Sequence, residues 1–303
     1  MEFRDTCTNR TTKERGAKVK IGVTGADGFL GSRILRFYEE KYEMKGYRHS
    51  DMDFTDEEAV RTVLSKDCPD LLIHTAAISD VGACERDPEY SEKVNVDGVR
   101  IVAKICREIN ARLIFCSSDQ VYVGNGETMP HREGERLSPP TVYGRQKIRA
   151  EELAFQEQPD TAALRLSWMF ASDFREGKEH GNLISTVSQA VAAGEQIRYP
   201  VHDYRSITDV WEVVRNLEYL FRAPAGIYNF GSENDRSTYE LVKEFLESAG
   251  IGTGILEKNE EAFREQPRNL RMNTEKAAKL GVHFLSSVEA LKKAGTCWKH
   301  NPA

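Results

Sequence analysis

The sequence predicts an α/β protein with a doubly wound parallel sheet, followed by a smaller C-terminal α/β lobe. Three observations predict this fold class. Apolar strand segments alternate with helical segments, the strands are apolar on both faces, and a glycine-rich turn joins the first strand to the first helix. Strands become apolar on both faces when helices cover both sides of a parallel sheet.

The alternation is regular from residue 18 to residue 166 and looser afterwards. Apolar runs predict strands at Lys18–Thr24, Asp70–Ala76, Arg112–Cys116, Thr161–Leu166 and 226–230. Helical periodicity and capping signals predict helices at Phe29 to about Tyr42, Thr55 to about Lys66, Asp87 to about Asn110, Thr141 to about Gln156, about 181–193 and about 208–222. Capping boxes are predicted at Thr55–Glu58 and Ser237–Glu240. Residues 124–140 are predicted to form a loop.

Composition narrows the function classes. The 303 residues carry 42 basic and 48 acidic side chains, a net charge of −6, which argues against nucleic acid as a partner. No apolar run approaches the roughly 18 residues that span a bilayer, and residues 1–17 lack a secretory h-region. The six cysteines contain no CxxC pair, so no metal site is predicted, and their scatter favours a reducing compartment. We expect a cytoplasmic protein with no membrane partner.

The turn after the first strand reads Thr24-Gly25-Ala26-Asp27-Gly28-Phe29-Leu30-Gly31. Such glycines allow a tight exit from the strand, close approach of the backbone to a pyrophosphate, and packing of the helix on the sheet. The helix N-terminus then faces the phosphates. This context predicts a Rossmann-type dinucleotide site, and the alternative is a purely structural turn. The predicted cofactor contacts here are Gly25, Asp27, Gly28, Phe29 and Leu30.

Two signals near residue 50 conflict over which cofactor is bound. Asp51 and Asp53 stand about 20 residues beyond the turn, where an acidic residue reads the ribose 2′-OH of NAD. Arg48, with His49 and Ser50, precedes them and suits the 2′-phosphate of NADP. We favour NADP(H) and leave NAD(H) open, with a solvated Arg48 as the alternative.

Tyr143 and Lys147 lie four residues apart and so on one face of a helix. A nearby ammonium lowers the pKa of a phenol toward the range useful for proton transfer. Ser117 and Ser118 end a predicted strand, at the sheet edge where ligands gather. Tyr239 and Lys243 repeat the spacing without such a strand end, so we interpret that pair as the surface of an amphipathic helix.

Together these motifs resemble the extended short-chain dehydrogenase/reductases, and within them the dTDP-4-dehydrorhamnose reductases, over about residues 18–285. The resemblance is carried by VKIGVTGADGFLGSRI, DLLIHTAAISDVGACERDPEYSEKVNVDGV, IFCSSDQVYVG, PTVYGRQKIRAEE, LRLSWMF and GIYNFGSENDRSTYELV. It implies that Ser118 holds the substrate oxygen, Tyr143 donates the proton, and Lys147 binds the ribose.

The resemblance also implies further contacts. The implied cofactor contacts are Asp53, Phe54, Ala76 and Ala77. Asn95 is implied to order a water molecule on Lys147. The implied sugar contacts are Ser79, Val81 and Trp168. The chain departs from the family at Gly82, where an acidic residue is usual, and in the segment VHDYRSITDV. Three arginines are candidate pyrophosphate ligands: Arg205 in that segment, and Arg268 and Arg271 later in the chain. The alternative for each is a solvated charge on the surface.

We therefore expect residues 1–17 to form a flexible extension, residues 18–166 with about 203–230 the dinucleotide-binding domain, and about 167–202 with 231–303 the substrate-binding lobe. The expected activity is NAD(P)H-dependent reduction of a 4-keto nucleotide sugar, dTDP-4-dehydro-L-rhamnose to dTDP-L-rhamnose. Two alternatives remain: another nucleotide-sugar reductase or epimerase, or a non-catalytic regulatory subunit like the methionine adenosyltransferase β subunit. A homodimer is left open.

Overall fold

The computed structural model describes residues 18–173 and 181–300, so the extension expected at 1–17 lies outside the described residues. The chain divides into two compact units. Within the described residues, the first comprises 18–121, 139–165 and 217–228, and the second comprises 122–138, 166–216 and 229–300. Residues 122–138 and 203–216, which the sequence assigned to the first domain, group with the second unit.

A six-stranded sheet forms the centre of the first unit. Its strands are β1 (Lys20–Thr24), β2 (Glu43–Tyr47), β3 (Leu71–His74), β4 (Arg112–Ser118), β5 (Thr161–Leu166) and β10 (Gly226–Phe230). Their order across the sheet is β10-β5-β4-β3-β1-β2, and β1 pairs in parallel with both β2 and β3. Since the chain moves from β1 outward to β2 and then returns to the other side of β1, the winding reverses between β1 and β3. Ligands of such sheets bind beyond the carboxyl ends of the strands at this switch point.

Helices cover the sheet of the first unit. They are α1 (Gly31–Tyr38), α2 (Glu57–Asp67), α3 (Val81–Arg86), α4 (Pro88–Glu92), α5 (Gly98–Glu108) and α6 (Val142–Glu157). The single helix predicted from Asp87 is interrupted by a π-helical turn at Lys93–Asp97. The cap of α2 is Asp56 rather than Thr55, because Asp56 Oδ1 accepts from two first-turn N–H groups while the Thr55 hydroxyl donates to Asp53. The buried cluster of this unit includes Val60, Leu64, Val102 and Phe115.

The second unit is also mixed α/β. Its strands are β6 (Trp168–Phe170), β7 (Ile197–Pro200), β8 (Asp203–Arg205), β9 (Ile207–Asp209), β11 (Leu256–Asn259) and β12 (Arg268–Leu270). They form three parallel pairs, β6 with β9, β7 with β11, and β8 with β12. Its helices are α7 (Leu183–Ala193), α8 (Val210–Leu217), α9 (Thr238–Ala249), α10 (Glu275–Ala278) and α11 (Ser287–His300). The predicted capping box at Ser237–Glu240 is confirmed at the start of α9.

Within the described residues, no helix is long and apolar enough to cross a membrane, and no group of three or more metal-ligating side chains is found. Cys84, Cys106 and Cys116 are buried free thiols. Cys68 is disulfide-bonded, whereas the scattered spacing of the cysteines favoured a reducing compartment.

Candidate active site

The glycine turn has the geometry of a phosphate-binding turn. Gly25 has a φ of +66°, which favours glycine, and a Cβ there would lie 2.8 Å from Thr75 Oγ1. A Cβ at Gly31 would lie 2.3 Å from the carbonyl oxygen of Gly25. Gly28 donates its N–H to the Gly25 carbonyl at 2.9 Å, and no side chain caps the start of α1. The turn therefore has no room for side chains at residues 25 and 31, and no side chain caps the first turn of α1, which suits the approach of a phosphate.

Arg48 lies beside this turn. Its Nε is 2.9 Å from Asp27 Oδ1, and both side chains are exposed. Asp27 raises the pKa of Arg48 through a hydrogen bond and its charge. The Asp53 carboxylate accepts the N–H and hydroxyl of Thr55, and these hydrogen bonds lower the pKa of Asp53. One oxygen of Asp53 is thus already engaged locally, whereas the Arg48 guanidinium extends over the turn.

The segment after β3 contacts the glycine turn directly. The N–H of Ala76 donates to Thr24 Oγ1 at 3.3 Å, and the half-buried Ala77 follows. Phe54 packs its ring into the core of the first unit, edge-on to His74 with ring centroids 5.5 Å apart. Because the Phe54 ring is buried, we expect any contact to adenine at this position to involve its backbone.

The end of β4 directs its two serines to different sides. Ser117 is buried and donates its hydroxyl to Glu151 Oε1 at 2.6 Å. Ser118 is half-buried and hydrogen-bonds to Tyr143. Successive residues of a strand face opposite sides of the sheet, so only one of the two can meet the phenol. The structure thus places Ser118, rather than Ser117, beside Tyr143.

Tyr143 and Lys147 lie in α6, one turn apart and buried. Lys147 Nζ donates to the Cys116 carbonyl at 2.9 Å and lies 5.6 Å from the centroid of the Tyr143 ring. The helix approaches the end of β4 closely because residue 144 is glycine: a Cβ there would lie 2.7 Å from the carbonyl oxygen of Gln120. Ser118, Tyr143 and Lys147 therefore form one cluster within the first unit.

The electrostatics of this cluster differ from the expectation. Burial raises the pKa of Tyr143 above its usual value of 10, and the hydrogen bond from Ser118 opposes the rise. Burial also lowers the pKa of Lys147 from 10.5 to about 8. The predicted lowering of the phenol pKa by Lys147 is thus outweighed, because both groups are desolvated and the amine is directed to a carbonyl.

Asn95 lies in the π-helical turn and is fully buried. Its Oδ1 accepts from the N–H of Ile78 at 2.9 Å, and its Nδ2 donates to Ile78 O and Gln146 Oε1, each at 3.0 Å. The side chain therefore joins the segment after β3 to helix α6. The Asn95 amide is hydrogen-bonded to these protein partners, whereas the resemblance implied that it orders a water molecule on Lys147.

The residues predicted to bind substrate belong to different units. Ser79 is exposed and Val81 half-buried at the start of α3 in the first unit. In the second unit, the Arg205 guanidinium lies over the Trp168 ring, 4.5 Å from its centroid. The structure thus brings these last two predicted residues into a cation–π contact.

The two later arginines already have protein partners. Arg268 forms a two-bond ion pair with the buried Asp203, at 2.7 and 2.8 Å. Arg271 donates to Asn269 Oδ1 and to the carbonyl of Thr128. Arg268 therefore has a structural role through Asp203, and this ion pair occupies two of its donor nitrogens.

Of the second Tyr/Lys pair, Lys243 lies on the surface as predicted, whereas Tyr239 is half-buried against the core cluster of the second unit. Lys243 is exposed and pairs with Glu247 at 3.6 Å. Sequence reasoning missed a different feature: Glu151 of α6 and Arg165 of β5 form a buried ion pair, with side chains only 4% and 3% exposed. The spacing of Glu151, four residues beyond Lys147, was the only signal available.

The family model described as the RmlD substrate binding domain matches residues 19–294. The chain belongs to the RmlD family. Among curated relatives of this RmlD-family chain, spore coat polysaccharide biosynthesis protein SpsK of Bacillus subtilis is 29% identical over 245 residues, 80% of this chain and 84% of SpsK. Methionine adenosyltransferase 2 subunit beta of Xenopus laevis is 25% identical over 279 residues, 86% of this chain and 82% of that protein.

Solved structures confirm the predicted fold class. The dTDP-4-dehydrorhamnose reductase from Bacillus anthracis, crystallised in complex with NADP, matches the RmlD-family chain with a TM-score of 0.82 at 21% identity. The match covers 91% of this chain and 98% of that one.

Proposed function

We propose that this RmlD-family chain reduces the 4-keto group of a nucleotide sugar with NADPH, and that dTDP-4-dehydro-L-rhamnose is its substrate. The observation that carries the proposal is the cluster of half-buried Ser118 with the buried Tyr143 and Lys147 at the carboxyl edge of the sheet. This cluster offers an O–H donor and a fixed ammonium on the sheet edge that the glycine turn also occupies.

The glycine turn fits a dinucleotide. The positive φ of Gly25 and the close approach of Gly31 to its carbonyl keep side chains away from the start of α1. Arg48 presents a guanidinium beside this turn, which suits a ribose 2′-phosphate and favours NADP(H), and NAD(H) remains the alternative cofactor.

When bound, NADPH supplies the hydride that reduces the ketone carbon. Ser118 donates a hydrogen bond to the ketone oxygen and polarises it. Tyr143 donates its proton to that oxygen as negative charge develops, and its raised pKa keeps the phenol protonated at neutral pH. Lys147, held by the Cys116 carbonyl, provides the positive charge that stabilises the tyrosinate left behind.

A panel of nucleotide-sugar ketones, with NADPH consumption as the readout, tests the activity. We expect turnover of dTDP-4-dehydro-L-rhamnose and formation of dTDP-L-rhamnose. Turnover of a different nucleotide sugar alone, or epimerisation without net NADPH consumption, would instead support the alternative hypothesis of another nucleotide-sugar reductase or epimerase.

The similarity to methionine adenosyltransferase 2 subunit beta over 86% of the chain favours a second candidate function, that of a regulatory subunit. Co-purification with a synthetase, together with no reduction of any ketone in the panel, would support that role over the enzyme.

A further inference from the structure

Three side chains from different elements meet in the core beneath the catalytic cluster. Arg165 of β5 donates to Glu151 of α6 through Nε at 3.0 Å and through Nη2 at 2.7 Å. Ser117 of β4 donates to the same carboxylate at 2.6 Å. The Ser117 hydrogen bond connects the strand end that carries Ser118 to the helix that carries Tyr143 and Lys147, and the two Arg165 hydrogen bonds connect β5 to the same helix.

Glu151 lies one helical turn beyond Lys147, and its charge raises the pKa of that lysine. Five titratable groups act on Lys147 or lie against it. Glu151 and Tyr143 belong to the same helix, and Cys84, Cys116 and His74 belong to elements packed around it.

Glu151 is the charged member of that group. Burial raises the pKa of Cys116 to about 12 and also raises those of Cys84 and Tyr143. Burial lowers the pKa of His74 to about 3. These four groups are neutral where Lys147 titrates, whereas the Glu151 carboxylate accepts three hydrogen bonds, two of them from the Arg165 guanidinium.

We propose that Glu151 is a positioning residue of the reaction: it fixes the Ser118 strand end against helix α6 and places a carboxylate one helical turn from the buried Lys147 ammonium, whose positive charge it stabilises. Arg165 holds Glu151 in this place. The role in turnover rests on the proposed function, but the effect on Lys147 can be measured without any substrate.

The test removes both charges together, since Glu151→Gln alone would leave Arg165 buried without a counterion. The double variant Glu151→Met/Arg165→Met is compared with Arg149→Met/Glu152→Met, an exposed pair at 3.0 Å on the same helix. The titration of Lys147 is followed by NMR of protein labelled with ¹³Cε-lysine, and Lys147→Arg identifies the resonance.

We expect the Lys147 titration to move to lower pH in the buried-pair variant, because Glu151 lies one helical turn from Lys147, and to stay in place in the exposed-pair control. An unchanged titration in the folded buried-pair variant would overturn the electrostatic role. If the nucleotide-sugar panel shows no turnover at all, the proposed function fails, and this titration still decides the role of Glu151.

Ser117→Ala tests the positioning role separately, because it removes one hydrogen bond and keeps both charges. We expect kcat to fall about tenfold with little change in KM for the ketone and no shift of the alkaline limb of the pH profile. Unaltered kcat in this variant would overturn the positioning role, including in the case where the double variant does not fold.

Discussion

At the scale of single residues, burial decides the chemistry of the cluster. Tyr143 and Lys147 are both enclosed, which opposes the charged form of each: the phenol pKa rises, and the ammonium pKa falls to about 8. Near neutral pH the cluster therefore holds a protonated phenol beside an ammonium. This is the combination that proton donation to a ketone oxygen requires.

Tyr143→Phe removes the proton donor and leaves the helix intact. We expect kcat to fall by about 10²- to 10⁴-fold with retained cofactor affinity, measured by steady-state kinetics and by quenching of protein fluorescence on titration with NADPH. Tyr239→Phe is the matched control, since that tyrosine shares the spacing to a lysine but lies on α9, and its kcat should not change. Full turnover by Tyr143→Phe would rule out the proposed mechanism.

Lys147 gives the pH dependence of stability a definite sign. Its pKa is about 8 in the native state and 10.5 ordinarily, so between these values the unfolded chain binds more protons than the native chain. The free energy of unfolding therefore rises with pH in this window, by up to about 1.4 kcal/mol per unit.

Lys147→Met lacks this ionisation. In urea unfolding at pH 7 to 10, we expect the wild type to gain stability relative to the variant as the pH rises above about 8. Parallel curves for the two proteins across this range would show that Lys147 is not desolvated as described.

At the scale of elements, one close approach sets the site. Helix α6 begins with Thr141 capping the N–H of Gly144, and Glu85 accepts the N–H of Val142 at 2.7 Å. Gly144 then lets the helix lie against the backbone at Gln120. The position of Tyr143 relative to Ser118 depends on this contact.

Gly144→Ala places a Cβ 2.7 Å from both the Gln120 carbonyl oxygen and the Pro139 Cβ. We expect a loss of about 1–3 kcal/mol in the free energy of unfolding, together with a lower kcat, because the backbone must shift. Gly134→Ala is the control, since nothing lies within 4 Å of its added Cβ. Equal stability of the two variants, measured by chemical denaturation, would contradict the close packing.

Apolar runs predicted five of the six strands in the sheet of the first unit, but β2 (Glu43–Tyr47) was missed because its residues form no apolar run. The strand Thr161–Leu166 was predicted with its observed ends. The π-helical turn was missed because one extra residue per turn barely alters helical periodicity over five residues. The three-residue strands of the second unit were missed because so short a run shows no alternation.

The site was predictable where its residues are close in sequence. Tyr143 and Lys147 share a helix, and the glycines share a turn. Arg165 and Glu151 could not be paired from the sequence because their contact joins a strand to a helix 14 residues apart, and a glutamate within a helix ordinarily faces solvent.

At the scale of the whole molecule, the predicted roles divide between two units that each have their own core. The first unit contains the glycine turn and the Ser118, Tyr143 and Lys147 cluster. The second contains the Trp168–Arg205 contact and the buried Asp203–Arg268 pair. Cofactor binding should therefore depend on residues of the first unit.

Saturating NADPH should stabilise the whole protein by mass action. At a free concentration one hundred times its Kd, the expected gain is about 2.7 kcal/mol, seen as a higher Tm in thermal unfolding. In Arg48→Ala, NADPH should raise the Tm only as much as NADH does, whereas the rise in Tm with NADH should be the same as in the wild type. A variant that keeps the full preference for NADPH would show that Arg48 does not read the 2′-phosphate.

The hydrogen bonds of the Asn95 side chain also bear on its deamidation. Its orientation is determined chemically, because Oδ1 faces an N–H while Nδ2 faces two oxygens. Deamidation would replace that nitrogen by a carboxylate oxygen and set it against two acceptors, which would separate the segment after β3 from α6. The π-helical backbone protects against this reaction, since a hydrogen-bonded helical turn keeps the following amide nitrogen from attacking the side chain. The π-helical turn that positions Asn95 between the segment after β3 and α6 therefore also protects Asn95 against deamidation.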